Sequence, residues 1–198
     1  MMAKICGITN AGDALAAAAG GAGALGFNFW RGSPRFITPE RALPLLEQVP
    51  ASVLKIGVFV DESAAAIREV ATRLRLDAVQ IHGGCEWPEG LRVWKALAVD
   101  DQFRLELLDQ FPADAFLLDA PSGALRGGAG RTFDWVRARG ARRRVVIAGG
   151  LDDTNVRLAI ETARPLGVDA CSRLESAPGV KDPRKLAAFL KAALHETS

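Results

Sequence analysis

Eight short runs rich in apolar and β-branched residues recur along the chain, and segments with a helical pattern separate most of them. Segment 63–74, for example, spaces its apolar residues three and four apart, as an amphipathic helix does. The short runs are almost continuously apolar, which is expected of parallel strands buried on both faces. The eight predicted strands cover residues 3–8, 24–29, 54–60, 78–82, 93–99, 115–119, 145–148 and 168–172.

Repeated alternation of strand and helix favours a (β/α)₈ TIM barrel over an open doubly wound sheet. With 198 residues the chain is short for this fold, whose typical length is about 250 residues. Its connections must therefore be lean, and segment 83–90, which contains Pro88, predicts one reduced helix between the fourth and fifth strands. Because no linker or low-complexity tract interrupts the series, we expect residues 1–198 to form a single domain.

Charge is nearly balanced, with 25 basic and 23 acidic residues and a net charge of +2. This balance provides no footprint for nucleic acid or for an anionic membrane, so neither is an expected partner. The basic cluster at 142–144 directly precedes a predicted strand and is interpreted as a solvated turn.

Three cysteines, Cys6, Cys85 and Cys171, form no CxxC pair. Their odd number argues against a disulfide framework and, with no long apolar signal-peptide core near the N-terminus, predicts a reducing, cytoplasmic location. Cys85 and Cys171 are interpreted as structural thiols. The two histidines, His82 and His195, are too few for a histidine-rich metal site, and no metal is predicted.

Two polar side chains stand where apolar strands end. Cys6 follows the first apolar run, and Asp119 closes the sixth. Parallel α/β proteins carry their chemistry at the carboxyl ends of the strands, where the first polar group projects into the mouth of the sheet. Cys6 and Asp119 are therefore the candidates for a catalytic base and a catalytic acid.

Glycine clusters indicate where an anion binds. The G-x-G-x-x-G pattern at 21–26 follows a helix and leads into a strand, which is the wrong order for a dinucleotide site. The glycines at 127–130 and at 149–150 instead follow strands, and TIM barrels commonly bind phosphate after strands seven and eight. The predicted phosphate-binding residues are Gly128, Gly130, Gly149, Gly150, Ser172 and Arg173.

Several separate motifs follow one another over nearly the whole chain. They are Lys4-Ile5-Cys6-Gly7-Ile8-Thr9, Gly26-Phe27, Gly32-Ser33-Pro34-Arg35, Val79-Gln80-Ile81-His82-Gly83, Leu118-Asp119, Gly127 to Gly130 with Phe133-Asp134-Trp135, Ala148-Gly149-Gly150-Leu151 and Pro178-Gly179-Val180-Lys181-Asp182. In this order the motifs resemble the phosphoribosylanthranilate isomerase family. The resemblance implies a (β/α)₈ barrel of tryptophan biosynthesis without a cofactor. It also implies an Amadori rearrangement of N-(5-phosphoribosyl)anthranilate to 1-(2-carboxyphenylamino)-1-deoxyribulose 5-phosphate, with Cys6 as base and Asp119 as acid.

By the same resemblance, Arg35 meets the anthranilate carboxylate, which suits a planar guanidinium. His82 either faces the substrate or serves as a hydrogen-bonded structural group. The chain departs from the family pattern at Arg173, where the family has glycine, and at Ala129, where it has threonine. Either Arg173 contacts the phosphate itself or its loop has shifted.

Other functions stay open at this point. A histidine-pathway isomerase of the same fold is expected to carry an aspartate where this chain has Cys6. An indoleglycerol-phosphate synthase requires a lysine low in the barrel mouth, and neither Lys55 nor Lys95 is clearly placed for that role. A non-catalytic binding barrel leaves the pairing of Cys6 with Asp119 unexplained. Both a monomer and a homodimer are compatible with the sequence.

Overall fold

A closed ring of eight parallel strands forms the centre of the computed structural model, which describes residues 1–121 and 131–194. Each strand pairs with its neighbours in chain order, and the first strand pairs with the eighth. The predicted (β/α)₈ barrel is therefore confirmed. The strands are β1 (Met2–Cys6), β2 (Ala24–Asn28), β3 (Leu54–Val60), β4 (Ala78–His82), β5 (Val93–Ala98), β6 (Ala115–Asp119), β7 (Val145–Ile147) and β8 (Gly167–Ala170).

Capping side chains start the first three α-helices. Asn10, Thr38 and Ser63 each accept a hydrogen bond from the backbone N–H three residues later, which is the usual N-cap arrangement. In residues 1–121 and 131–194, none of the helices is both long and apolar enough to cross a bilayer. The α-helices of these residues are α1 (Ala11–Ala19), α2 (Pro39–Leu46), α3 (Ala64–Leu74), α4 (Val156–Ala163) and α5 (Pro183–Leu194).

The connections from β4 to β7 are lean. No helix lies between β4 and β5, so the predicted reduction near residues 83–90 is confirmed and is complete. The next connection holds a short 3₁₀ helix at Leu105–Gln110, and the described part of the one after it holds another at Trp135–Ala138. The chain therefore reaches its short length by reducing more helices than the one that the sequence indicated.

Side chains alternate between the inside of the barrel and the helix layer, as the strand period of two requires. Inside, Lys4 Nζ donates to Asp169 Oδ1 at 2.9 Å, and the two side chains are only 0% and 8% exposed. This ion pair sits among apolar interior residues. They are Ala24, Ile56, Ala78, Trp94, Ala96, Ala115, Leu117, Val146 and Ala148.

A small antiparallel hairpin follows β8 and was not predicted. It consists of β9 (Glu175–Ala177) and β10 (Val180–Lys181), and Gly179 makes the turn with a φ of +80°. Thr9 Oγ1 donates to the Gly179 carbonyl, and the Lys181 N–H donates to Asp13 Oδ2 at 2.7 Å. The hairpin is thereby fastened to the segment that follows β1.

Candidate active site

A cavity of about 220 Å³ opens at the carboxyl ends of the strands. It takes side chains from β1 to β4 and from β6, together with the loops after β2, β7 and β8. Gly128 and Gly130 lie outside the residues that the structure describes. All the other predicted site residues line the cavity, namely Cys6, Arg35, His82, Asp119, Gly149, Gly150, Ser172 and Arg173.

Cys6 lies between a lysine and a second cysteine. Lys4 precedes it by two residues and therefore shares its face of β1. The parallel register pairs Ile5 with Ala170, which brings Cys171 next to Cys6 at the ends of β1 and β8. Gly26 leaves the room that these groups need, because a Cβ there would lie 2.7 Å from Cys6 Sγ and 3.1 Å from Lys4 Nζ.

These neighbours stabilise a thiolate at Cys6. The hydrogen bond from the Cys171 thiol lowers the pKa of Cys6, and the ammonium groups of Lys4 and Lys181 lower it further against the opposing effect of burial, so that it falls well below its usual range. The same hydrogen bond, together with burial, raises the pKa of Cys171. Cys171, interpreted from sequence as a structural thiol, instead lines the cavity beside Cys6, and its sulfur also lies 3.9 Å from Glu175 Oε1.

Asp119 has the opposite environment at the end of β6. Burial raises its pKa to about 6, and the negative charge of Cys6 adds to the rise, while the Ala120 N–H and Lys4 counteract it. The loop after β7 packs directly on this carboxyl group. A Cβ at Gly149 would lie 2.5 Å from Asp119 Oδ1, so this position requires glycine on steric grounds as well as for its φ of +86°.

Arg35 reaches the cavity from the loop after β2. Its Nε and Nη2 donate to the two carboxylate oxygens of Glu175 at 2.9 and 2.8 Å. Lys181 Nζ approaches the same carboxylate, 3.1 Å from Oε1. Trp30 and Ser33 line the same part of the cavity. Ser33 belongs to the motif at 32–35 but was given no role, and Trp30 was not singled out in the sequence.

The predicted phosphate corner brings the loops after β7 and β8 together. Gly149 and Gly150 both have positive φ, and Ser172 and Arg173 belong to a short 3₁₀ helix after β8. Arg173 Nη1 donates to Asp152 Oδ2 at 3.0 Å, so its guanidinium reaches across to the β7 loop.

Helix α4 begins just after this corner, and Asn155 occupies its N-cap position. Asp152 accepts hydrogen bonds from the Thr154 N–H and from Arg173.

His82 turns toward the cavity at the end of β4, with its Nε2 2.7 Å from Gln80 Nε2. Gln80 was missed, although a residue two positions before a site residue on a strand shares its face. The same rule would have found Lys4 from Cys6.

Lys55 and Lys95, the lysines considered for a synthase, alternate with interior residues of β3 and β5 and point outward; Lys95 Nζ donates to the Gly83 carbonyl at 2.8 Å.

The family model described as "N-(5'phosphoribosyl)anthranilate (PRA) isomerase" matches residues 3–192. The chain belongs to this family. A protein of Solibacter usitatus named N-(5'-phosphoribosyl)anthranilate isomerase is 48% identical to it over 196 residues, covering 98% of this chain and 97% of that protein.

Solved structures of the PRA isomerase family agree with the fold. The phosphoribosyl anthranilate isomerase of Thermotoga maritima has a TM-score of 0.88 and 38% identity, and the alignment covers 98% of both chains. A phosphoribosyl anthranilate isomerase in complex with reduced 1-(o-carboxyphenylamino)-1-deoxyribulose 5-phosphate has a TM-score of 0.84 and 37% identity, again with 98% of both chains covered.

Within residues 1–121 and 131–194, no group of three or more His, Cys, Asp or Glu side chains is arranged to hold a metal ion. What the cavity does offer is a thiol with a lowered pKa and a carboxyl group with a raised pKa, as general base and general acid catalysis requires. A cationic side chain stands at the β2 loop, and glycine-rich backbone stands at the β7 loop.

Proposed function

We propose that this cavity is the active site in which the chain acts as a phosphoribosylanthranilate isomerase of tryptophan biosynthesis. The reaction converts the aldose N-(5-phosphoribosyl)anthranilate to the ketose 1-(2-carboxyphenylamino)-1-deoxyribulose 5-phosphate. It needs one acid to open the sugar ring and one base to remove a carbon-bound proton. The three cysteines are free thiols, which suits a reducing compartment such as the cytoplasm.

Asp119 is the proposed acid. It gives its proton to the furanose ring oxygen, the bond from that oxygen to C1′ breaks, and the nitrogen lone pair forms an iminium. Since the pKa of Asp119 is raised to about 6, a useful fraction of the carboxyl group is protonated near neutral pH. The carboxylate and phosphate of the bound substrate raise that fraction further, because like charges disfavour a second anion.

Cys6 is the proposed base. The iminium makes the C2′ proton acidic, and the thiolate removes it to give an enolamine that rearranges to the ketone. The lowered pKa of Cys6 increases the fraction of thiolate that is present at neutral pH, so no further base is needed to activate it. The product is an isomer of the substrate, and the two groups return to their starting protonation states by the end of the turnover.

The remaining groups orient the substrate. The guanidinium of Arg35 is proposed to bind the anthranilate carboxylate, with His82 beside the same space. The backbone of Gly149 and Gly150, with Ser172 and Arg173, is proposed to hold the phosphate. Gly128 and Gly130 stay part of this prediction, although they lie outside the described residues.

One observation carries the assignment of roles. Across a single cavity, the β1–β8 side lowers the pKa of a thiol while the β6–β7 side raises that of a carboxyl group. When the environments of two titratable groups shift their pKa values in opposite directions, one group is suited to act as the acid and the other as the base. A binding barrel without chemistry has no need of such a difference.

The test follows the loss of substrate fluorescence by the purified protein. Cys6→Ala and Asp119→Asn are each expected to lower kcat by roughly 10²- to 10⁴-fold, the usual contribution of a general acid or base. Cys85→Ser is the matched control, because Cys85 does not line the cavity, and serine keeps both the acceptor for the Glu62 N–H and the donor to the His82 backbone carbonyl. It is expected to be dispensable for turnover. Full activity of either catalytic variant would refute its role, and an inactive wild-type protein would refute the function.

A further inference from the structure

The guanidinium of Arg35 is held on one edge only. Glu175 accepts from Nε at 2.9 Å and from Nη2 at 2.8 Å, in a side-on bidentate contact between side chains that are 13% and 5% exposed. A guanidinium has five N–H donors, and this contact uses two of them. Nη1 makes no hydrogen bond within the described part of the chain, so the outer edge formed by Nη1 and Nη2 is available for a second carboxylate.

An arginine paired with a glutamate has no net charge, and such a pair attracts another carboxylate weakly. Here a third group changes the sum, because Lys181 Nζ lies 3.1 Å from Glu175 Oε1 with a side chain that is 0% exposed. Arg35, Glu175 and Lys181 together carry a charge of +1. Glu175 can therefore orient the guanidinium of Arg35 while the three side chains keep the net positive charge that attracts an anion.

The β9–β10 hairpin places the two supporting residues side by side. Its register pairs Lys181 with Glu175, and the Gly179 N–H donates to Glu175 Oε1 at 3.3 Å. Lys181 Nζ also donates to the Cys171 carbonyl at 3.2 Å, which fixes the ammonium against the end of β8. These residues lie outside the eight strands, yet they form the support behind one wall of the cavity.

We propose that Glu175 and Lys181 are positioning residues that determine specificity for the substrate carboxylate: Glu175 orients Arg35 with its outer edge toward that carboxylate, and Lys181 keeps the group at a net charge of +1. The inference rests on the proposed function, since it takes the anthranilate carboxylate to Arg35. A purely structural ion network would affect all ligands of the cavity equally. The proposed positioning role affects only the affinity for ligands that carry a carboxylate.

The experiment compares two ligands by calorimetry. One is reduced 1-(o-carboxyphenylamino)-1-deoxyribulose 5-phosphate, and the other is the same compound without the ring carboxylate. For Lys181→Met we expect the Kd of the first ligand to rise about tenfold and that of the second to change less than about twofold. Lys181→Arg, which keeps the charge, is expected to stay within about threefold of the wild type for both ligands.

Lys185→Met is the matched control. Lys185 Nζ donates to the backbone carbonyl of Glu175 at 2.9 Å and does not contact the carboxylate, so its loss is expected to leave the preference for the carboxylate unchanged. An equal loss of affinity for both ligands in Lys181→Met, or no loss for either, overturns the proposal. Failure of the wild type to isomerise its substrate overturns the proposed function instead.

A second variant covers the case in which Lys181→Met does not fold. Glu175→Gln retains both cations but supplies only one oxygen to the two N–H groups of Arg35, so the guanidinium loses its fixed plane. We expect its preference for the carboxylate-bearing ligand to fall at least about fivefold despite the extra positive charge. An unchanged or increased preference contradicts a positioning role for Glu175.

Discussion

The two sides of the cavity shift the pKa of a site residue in opposite directions. On the β1–β8 side, two ammonium groups and a thiol donor surround Cys6 and favour its anion. On the β6–β7 side, Asp119 is packed against the backbone of Gly149 and its anion is disfavoured by burial. Because the two residues occupy equivalent strand ends, the difference between their pKa shifts comes from the groups packed around each end and not from position along the strand.

Removing Lys4 from the β1–β8 side is expected to have the largest effect, and that effect is on stability. Lys4→Met leaves Asp169 buried without its partner and should lower the free energy of unfolding by about 3 kcal/mol at pH 8. Chemical denaturation measures this loss. The double variant Lys4→Met/Asp169→Leu removes both charges and is expected to regain most of the stability. A stable single variant would show that the ion pair does not hold the barrel interior together.

The pH profile of kcat/KM reports both sides at once. Asp119 must be protonated, so the rate is expected to fall as the pH rises above about 6, by up to tenfold per pH unit. Cys6 must be ionised, so the rate falls on the acid side as its lowered pKa is passed. Stopped assays from pH 4.5 to 9 resolve the two limbs. A profile that keeps rising from pH 6 to pH 9 contradicts the assignment of Asp119 as the acid.

The buried environment of Asp119 should also lower the free energy of unfolding when this carboxyl group is ionised. Its pKa is raised from 3.8 to about 6 in the folded protein, so ionisation destabilises the fold at any pH above the lower value. Asp119→Asn is therefore expected to raise the free energy of unfolding by about 3 kcal/mol at pH 8 and about half as much at pH 5. Urea titrations at both pH values measure the gain, with the exposed Asp101→Asn as control. Equal stabilisation at both pH values excludes this cause.

A smaller effect is expected on the other side, from Cys171. Cys171→Ala removes the hydrogen bond to Cys6 and should move the acid limb of the kcat/KM profile to higher pH. Cys171→Ser keeps a donor and should return the limb close to its wild-type position. If both variants move the limb equally, the effect comes from packing and not from the hydrogen bond.

Arg173 is expected to contribute least. Its side chain is 47% exposed and pairs with Asp152, an arrangement of modest value at a protein surface. If it contacts the phosphate, Arg173→Gly should raise both KM and the inhibition constant of inorganic phosphate about threefold. Steady-state kinetics with and without phosphate measure both. Unchanged constants rule out the contact and leave the backbone of the glycine loops to bind the phosphate.

The sequence predicted the parts of the site that depend on position along one strand. Cys6 and Asp119 were predicted because each stands where an apolar run ends, and both line the cavity; the alternation of strands and helices predicted the barrel. Of the groups that lower the pKa of Cys6, Lys4 lies two residues away on the same strand, but Cys171 and Lys181 lie near the other end of the chain, and no local pattern connects them with β1. The ion pairs beside the site also join distant segments. Lys4 and Asp169 lie 165 residues apart, and Arg35 and Glu175 lie 140 residues apart.

Gly26 is a second case in which the sequence could not give the structural reason for a residue. Its G-x-G-x-x-G pattern follows a helix and leads into a strand, as the sequence predicted, but only the packed barrel shows why glycine stands at position 26. The reason is the space taken by Cys6 Sγ and Lys4 Nζ. Steric requirements between strands leave no local pattern in a single sequence.

The pairing of β1 with β8 has a consequence for biosynthesis on the ribosome. A nascent chain that has already released Arg35 and Asp119 still lacks the segment from Gly167 to Lys181, which supplies the partners of the first strand. Its Cys6 lacks the neighbours Cys171 and Lys181, and its Arg35 lacks Glu175. We therefore expect turnover to begin only after the segment from Gly167 to Lys181 has joined β1, so that an activity assay reports when these distant segments meet.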